Sequence, residues 1–196
     1  MGIEASKWIK TRLGGKATIV NMESSLEPSA IERASGWRDA INKEVGAANI
    51  KWVMVEATNT EDAISNTESA LQANPDTQMV LVFNDLLGAG AYQAVVQSGL
   101  NLTNFFVGSC DGTNSVIDLV ELPNSVFRCT IGNDRFVPEI GFYWLQTIVR
   151  AALGMSFDNP FPITTVAITA DNVKEYRARQ PKYVLDPEIV EYMRTH

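Results

Sequence analysis

The chain has 196 residues, 45% of them hydrophobic, enough to bury a substantial core in one domain or one and a fraction. Its 23 acidic and 16 basic residues leave a net charge of −7, which argues against nucleic acid or an anionic membrane surface as a partner and supports solubility. No apolar stretch reaches the roughly 20 residues that a bilayer-spanning helix needs.

The first residues, MGIEASKWIKTRLGGK, have neither the apolar centre nor the small-residue cleavage site of a signal peptide. They read as an amphipathic helix with Ile3, Trp8, Ile9 and Leu13 near one face, so the chain is expected to begin inside structure. After the turn Gly14-Gly15-Lys16, the β-branched run Ala17–Met22 predicts a buried strand. From Pro28 to Val45, apolar Ile31, Ala34, Trp37, Ile41 and Val45 recur at helical spacing. Ile50–Val55 is a second strand. Asn59-Thr60 before Glu61-Asp62 opens a helix, with a polar cap and acidic first turn matched to the helix dipole.

The turn Asn74-Pro75-Asp76 ends that helix, and Met79–Phe83 is a third strand. Asn84-Asp85 opens a helix to about Ser98, stopped by Gly99. A fourth strand at 105–108, the turn Asp111-Gly112-Thr113, a short helix from Asn114 to Val120 and a fifth strand at 126–131 follow. Strict strand–helix alternation with continuous apolar strands predicts an α/β fold, a parallel sheet with helices on both faces. Ligands of such sheets bind at the carboxyl ends of the strands. Here those ends run into loops near Glu23, Ala57, Asn84, Asp111 and Gly132.

Beyond residue 136 the chain changes character. A long apolar helix is expected over 137–153, a break at Asn159-Pro-Phe-Pro162, a strand near Thr164–Ile168, and a polar tail after Asn172 with Pro181 and Pro187. The two cysteines, Cys110 and Cys129, lack metal-ligand spacing and are expected as buried thiols in strands, although spacing alone leaves a disulfide open. The single histidine is the terminal residue, His196, which argues against Ser-His-Asp or Cys-His catalysis and a His-based zinc site. No cofactor or metal is expected. Gly14-Gly15-Lys16 precedes a strand, whereas a phosphate-binding loop follows one, and no G-x-G-x-x-G occurs.

Three groups of polar residues fall at strand carboxyl ends: Glu32-Arg33, Asn84-Asp85, and Asp111-Gly112-Thr113. Taken singly, Asn84 and Asp111 read as helix caps and Arg33 as a surface charge paired with Glu32 or Asp39. Together on one sheet edge they form a set of planar donors and acceptors suited to the paired hydroxyls of a sugar.

Several motifs in order sharpen this. Ser29-Ala-Ile-Glu-Arg33-Ala-Ser-Gly36-Trp37, Asn74-Pro-Asp76 with Val80–Asp85, Val107-Gly-Ser-Cys-Asp111-Gly112, and Thr169-Ala-Asp-Asn172-Val-Lys-Glu-Tyr176 resemble the segments of type I periplasmic sugar-binding proteins of the ribose-binding group. The resemblance implies a non-catalytic solute-binding module that takes a sugar or polyol and serves an ABC transporter permease outside the cytoplasmic membrane. It implies ligand contacts from Arg33, Asn84 and Asp111, a hinge contact from Asn133 or the adjacent Asp134, and a further contact from Glu61. It also implies that residues 1–133 are a C-terminal ligand-binding lobe, that 134–196 are the return segment of an N-terminal lobe, and that this lobe's first stretch is missing.

The helix at 137–153 would then lack its usual partner sheet. It is expected to pack against a second copy of the chain or to be mobile. Two alternatives are the effector-sensing domain of a transcription repressor of the same fold, without its DNA-binding part, and a flavodoxin-like enzyme domain.

Overall fold

The computed structural model describes residues 1–133, 137–156, 164–179 and 183–195, the side chains of 137–139 excepted. The expected break at Asn159–Pro162 and the residues Asp134, Pro181 and His196 lie outside the described residues. The chain divides into two compact units, Met1–Gly132 with Ala167–Lys174, and Asn133–Val166 with Glu175–His196.

The strands are β1 (Ala17–Glu23), β2 (Ile50–Glu56), β3 (Thr77–Val82), β4 (Phe106–Cys110), β5 (Phe127–Asn133) and β6 (Thr165–Thr169), side by side in the order β2-β1-β3-β4-β5-β6. The pairs from β2 through β5 are parallel. Burial follows position. Central β1 is covered along almost its whole length, whereas edge strand β2 alternates, with Lys51, Met54 and Glu56 exposed.

The chain steps outward from β1 to β2, then crosses back to β3 and continues the other way. Right-handed crossovers therefore put helix α2 (Pro28–Ile41) on one face. They put α3 (Thr60–Ala73), α4 (Asp85–Gln97) and α5 (Asn114–Glu121) on the other. Helix α1 (Gly2–Arg12) packs beside α2, and α3 beside α4. The direction changes at β1 and β3, so a crevice is expected at their carboxyl ends.

Local sequence explains most boundaries. Pro28 stands in the first turn of α2, where a missing amide costs nothing. Asn59 and Asn84 cap α3 and α4 by accepting from the amides of Asp62 at 2.8 Å and Leu87 at 2.9 Å. Gly99 stops α4 with φ 73°.

Two helical faces differ from expectation. In α1 the buried face is Gly2, Ala5, Ser6 and Ile9, and Ile3 is 63% exposed. In α2 it is Ala30, Ala34, Trp37 and Ile41, with Ile31 outside it. Small residues set both stripes, because they let α1 and α2 approach closely: a Cβ on Gly2 would lie 2.6 Å from Ala40 Cβ. The α2 spiral also stops at Ile41, and Asn42–Gly46 forms a wider π turn, not the helical extension expected to Val45.

Cys110 and Cys129 are unpaired and buried in β4 and β5. Burial pushes their thiols up to about 11 and about 12. Iodoacetamide at pH 8 is therefore expected to leave both unmodified in the native protein and to alkylate both in urea. Rapid labelling of either under native conditions would contradict this packing.

In the second unit, helix α6 (Val137–Ala152) carries exposed Trp144, Leu145 and Ile148. The expected polar tail contains two helices, α7 (Val173–Ala178) and α8 (Pro187–Thr195). Pro187 opens α8, and Asp186 before it accepts from the Glu188 amide at 2.9 Å. That cap-plus-proline pair was a start signal in plain view. Arg150 of α6 holds both Asp186 and Glu188 at 2.6 Å, and keeps the Asp186 carboxyl below the usual carboxylate range.

Candidate functional site

The carboxyl ends of β1, β3 and β4 converge on three of the expected residues. Arg33 lies on the second turn of α2. Two contacts further along α2 fix that helix over β1. Trp37 Nε1 donates to buried Asn21 Oδ1 at 2.7 Å, and Arg38 Nη1 donates to Glu23 Oε2 at 2.7 Å. Asn21 Nδ2 also donates to Glu23 Oε2 at 3.1 Å, joining the two contacts. Anchored there, Arg33 reaches across the crevice. Its Nη1 donates to the carbonyl of Phe83 at the end of β3 at 2.7 Å, and to Asp111 Oδ1 beyond β4 at 3.0 Å. The expected alternative, a pairing of Arg33 with Glu32 or Asp39, is not what forms.

Arg33 and Asp111 keep 40% and 39% of their side chains exposed, so the ion pair contributes little stability and both groups face solvent. Asp111 Oδ2 accepts from the Asp85 amide at 3.4 Å. Asn84 is half-buried. Its Oδ1 is used by the helix cap, which leaves its Nδ2 pointing no bond at any described residue. The edge thus presents guanidinium and amide donors next to a carboxylate acceptor, an arrangement that matches adjacent hydroxyl groups.

Asp111 sits at φ 128°, where a non-glycine side chain is strained. What holds it there is Asp85, which the sequence marks only as part of the Asn84-Asp85 pair that opens α4. Asp85 is 1% exposed and accepts from Ser109 Oγ, from Thr130 Oγ1 at 2.7 Å, and from Thr113 through its amide at 2.6 Å and its Oγ1 at 2.9 Å. Thr130 Oγ1 in turn accepts from the Gly112 amide at 3.2 Å.

One carboxylate therefore ties β4, β5 and the Asp111-Gly112-Thr113 turn together. Gly88 makes this possible, because a Cβ there would lie 2.8 Å from Ser109 Cβ. Burial pushes the Asp85 carboxyl above its ordinary range, against the four hydrogen bonds, which favour the charged form. The available signal was the run of hydroxyls, Ser109, Thr113 and Thr130, spaced along neighbouring elements.

The other two expected residues belong to other elements. Glu61 is exposed in the first turn of α3, beyond edge strand β2, and no hydrogen bond joins it to Arg33, Asn84 or Asp111. Asn133 ends β5 in the second unit, where its carbonyl accepts from Tyr176 Oη at 3.2 Å and Arg179 Nη2 at 3.4 Å. Among the described residues no cluster of His, Cys, Asp and Glu could hold a metal ion.

The fold is an α/β sheet with helices on both faces, and this polar edge lies at its topological switch point. A family model described as periplasmic binding protein domain matches residues 1–154, and the chain belongs to that family. No curated protein matches it in sequence.

Solved structures share the fold. A periplasmic solute-binding protein of an ABC transporter from Actinobacillus succinogenes 130z with bound D-allose is 21% identical with TM-score 0.67, and the match covers 89% of this chain and 60% of that one. One from Mycobacterium smegmatis with bound glycerol is 21% identical with TM-score 0.72, covering 94% and 62%. A 5-methylthioribose transporter solute-binding protein from Thermotoga lettingae TMO is 20% identical with TM-score 0.72, covering 89% and 54%. The chain thus spans between 54% and 62% of the length of these three proteins.

Proposed function

We propose that the chain binds a small sugar or polyol without transforming it, as part of an ABC-transporter solute-binding protein that works outside the cytoplasmic membrane and meets a permease. Arg33, Asn84 and Asp111 bind the hydroxyls, and Asn133 and Glu61 add contacts. The observation that carries this reading is the Arg33 bridge from Phe83 to Asp111, with Asp111 held in a strained backbone at the switch point. Strain maintained by a buried network marks a residue whose position matters more than its comfort.

The solved relatives support the ligand class, since they hold D-allose, glycerol and 5-methylthioribose. The comparisons favour neither the repressor nor the flavodoxin-like alternative. In this reading residues 1–133 are the ligand-binding lobe and 134–196 a return segment, and a second copy of the chain covers the exposed Trp144, Leu145 and Ile148 of α6.

A panel of pentoses, hexoses and glycerol tested by saturation-transfer NMR is expected to give one or more binders with Kd of about 1 mM. That weakness reflects contacts from one side only. Arg33→Gln is expected to weaken the best binder at least about tenfold, the cost of losing one charge-assisted bond. A binder untouched by Arg33→Gln, or a panel with none, would overturn the site.

A further inference from the structure

At the amino end of the sheet, opposite the Arg33 edge, lies a hollow of about 670 Å³ between α1, the end of α4 and the turns entering β4 and β5. Two guanidiniums share one indole there. Arg128 sits 4.8 Å and Arg12 5.7 Å from the centre of the Trp8 ring. Cation–π attraction accommodates each cation, but two like charges at one ring repel.

No carboxylate among the described residues pairs with either one, although the chain carries 23 acidic residues against 16 basic. Burial and the charge of Arg12 together push the Arg128 guanidinium below its usual range. Trp8 and Arg128 are anchored. Trp8 Nε1 donates to the Asn104 carbonyl at 2.9 Å, Arg128 Nε to the Phe105 carbonyl at 3.1 Å, and Phe106 packs edge-on to Trp8 at 5.8 Å. The remaining walls include Tyr92, Val96, Leu102 and Leu122, with Val96 and Leu122 half exposed.

We infer that this hollow is a second binding site, for a small organic anion whose charged end sits between Arg12 and Arg128 and whose apolar body lies against Leu102, Leu122 and Val96. An anion removes the repulsion that the protein's own residues leave uncompensated. The volume falls within the range of small-molecule pockets, and the anchored Arg128 reduces the ordering cost of binding. The site is separate from the Arg33 edge and does not depend on what binds there.

Phenyl phosphate is the probe, titrated into ¹⁵N-labelled full chain and followed by NMR at the Trp8 indole and Arg128 Nε signals. The expected result is a saturable 1:1 shift of both signals, with Kd below about 10 mM. Arg12→Gln and Arg128→Gln are each expected to weaken it at least about tenfold, and benzyl alcohol, which lacks the charge, to bind much more weakly. Arg12 is exposed, so Arg12→Gln carries the test if Arg128→Gln fails to fold. Lys174→Gln, an exposed charge elsewhere, is the control for bulk electrostatics. No saturation by 10 mM, equal weakening by Lys174→Gln, or equal binding of benzyl alcohol overturns the inference.

Discussion

Asp85→Ala is expected to lower the free energy of unfolding by about 3–4 kcal/mol, read from urea denaturation. The substitution leaves the buried hydroxyls of Ser109 and Thr130 without their acceptor, and with them the part-buried amide and hydroxyl of the exposed Thr113. Each buried donor left unmade costs on the order of 1–3 kcal/mol, and part is recovered because hydroxyls can rotate toward other acceptors. Asp85→Asn keeps one acceptor oxygen for the Thr113 amide and should cost less than half as much.

The carboxyl also has a pH signature. Its folded pKa is raised by burial, so the folded state binds the proton more tightly than the unfolded one. Its contribution to stability is complete below the unfolded value of about 3.9 and is lost as pH rises through the raised folded value. Asp85→Asn should lack that component. If the stabilities of Asp85→Asn and the parent keep a constant difference from pH 4 to 8, the carboxyl is not desolvated as described.

Gly112→Ala is the second large effect, expected at about 2–3 kcal/mol of destabilisation. Its φ of 68° is a conformation that alanine tolerates poorly, and the added Cβ would meet Gly132 Cα at 2.7 Å, where backbone cannot rotate away. The neighbouring Asp111→Gly is expected to go the other way. It relieves the strain at φ 128° and should be neutral to about 1 kcal/mol more stable, while Asp111→Ala is destabilised by about 1 kcal/mol. Thermal melts of the three variants distinguish these signs. A stabilised Asp111→Gly that fails to bind a sugar or polyol bound by the parent would separate the proposed ligand role of this side chain from any structural one. A destabilised Asp111→Gly would mean that the Arg33 ion pair matters more than the strain.

Much of this arrangement was legible in the chain. The apolar runs Ala17–Met22 and Met79–Phe83 alternate with capped helices and form the strands Ala17–Glu23 and Thr77–Val82, and the caps Asn59 and Asn84 act as their sequence suggests. The grouping of Arg33, Asn84 and Asp111 on one edge follows from that alternation, because every such loop lies at a strand's carboxyl end.

Other features were hidden for definable reasons. Ile3 and Ile31 are apolar but exposed, since the contact of α1 with α2 depends on glycine and alanine, which an apolar count undervalues. Helix α8 is hidden because Pro187 reads as a breaker unless Asp186 is recognised as its cap. Glu61 is marked by loop position alone, in the first turn of α3 after edge strand β2.

The sequence by itself determined the fold class, the succession of strands and helices along the chain, the caps of α3 and α4, and the placing of Arg33, Asn84 and Asp111 at strand carboxyl ends. These depend on local periodicity and on interactions a few residues apart. Only the tertiary structure decided which charge meets which. Arg33 chose Asp111, 78 positions away, over nearby Glu32 and Asp39. Asp85 gathered hydroxyls from β4, β5 and the turn before α5, and Arg12 and Arg128 converged on Trp8. Such pairings depend on strand order and on close helix–sheet approach, neither of which any short window of residues specifies.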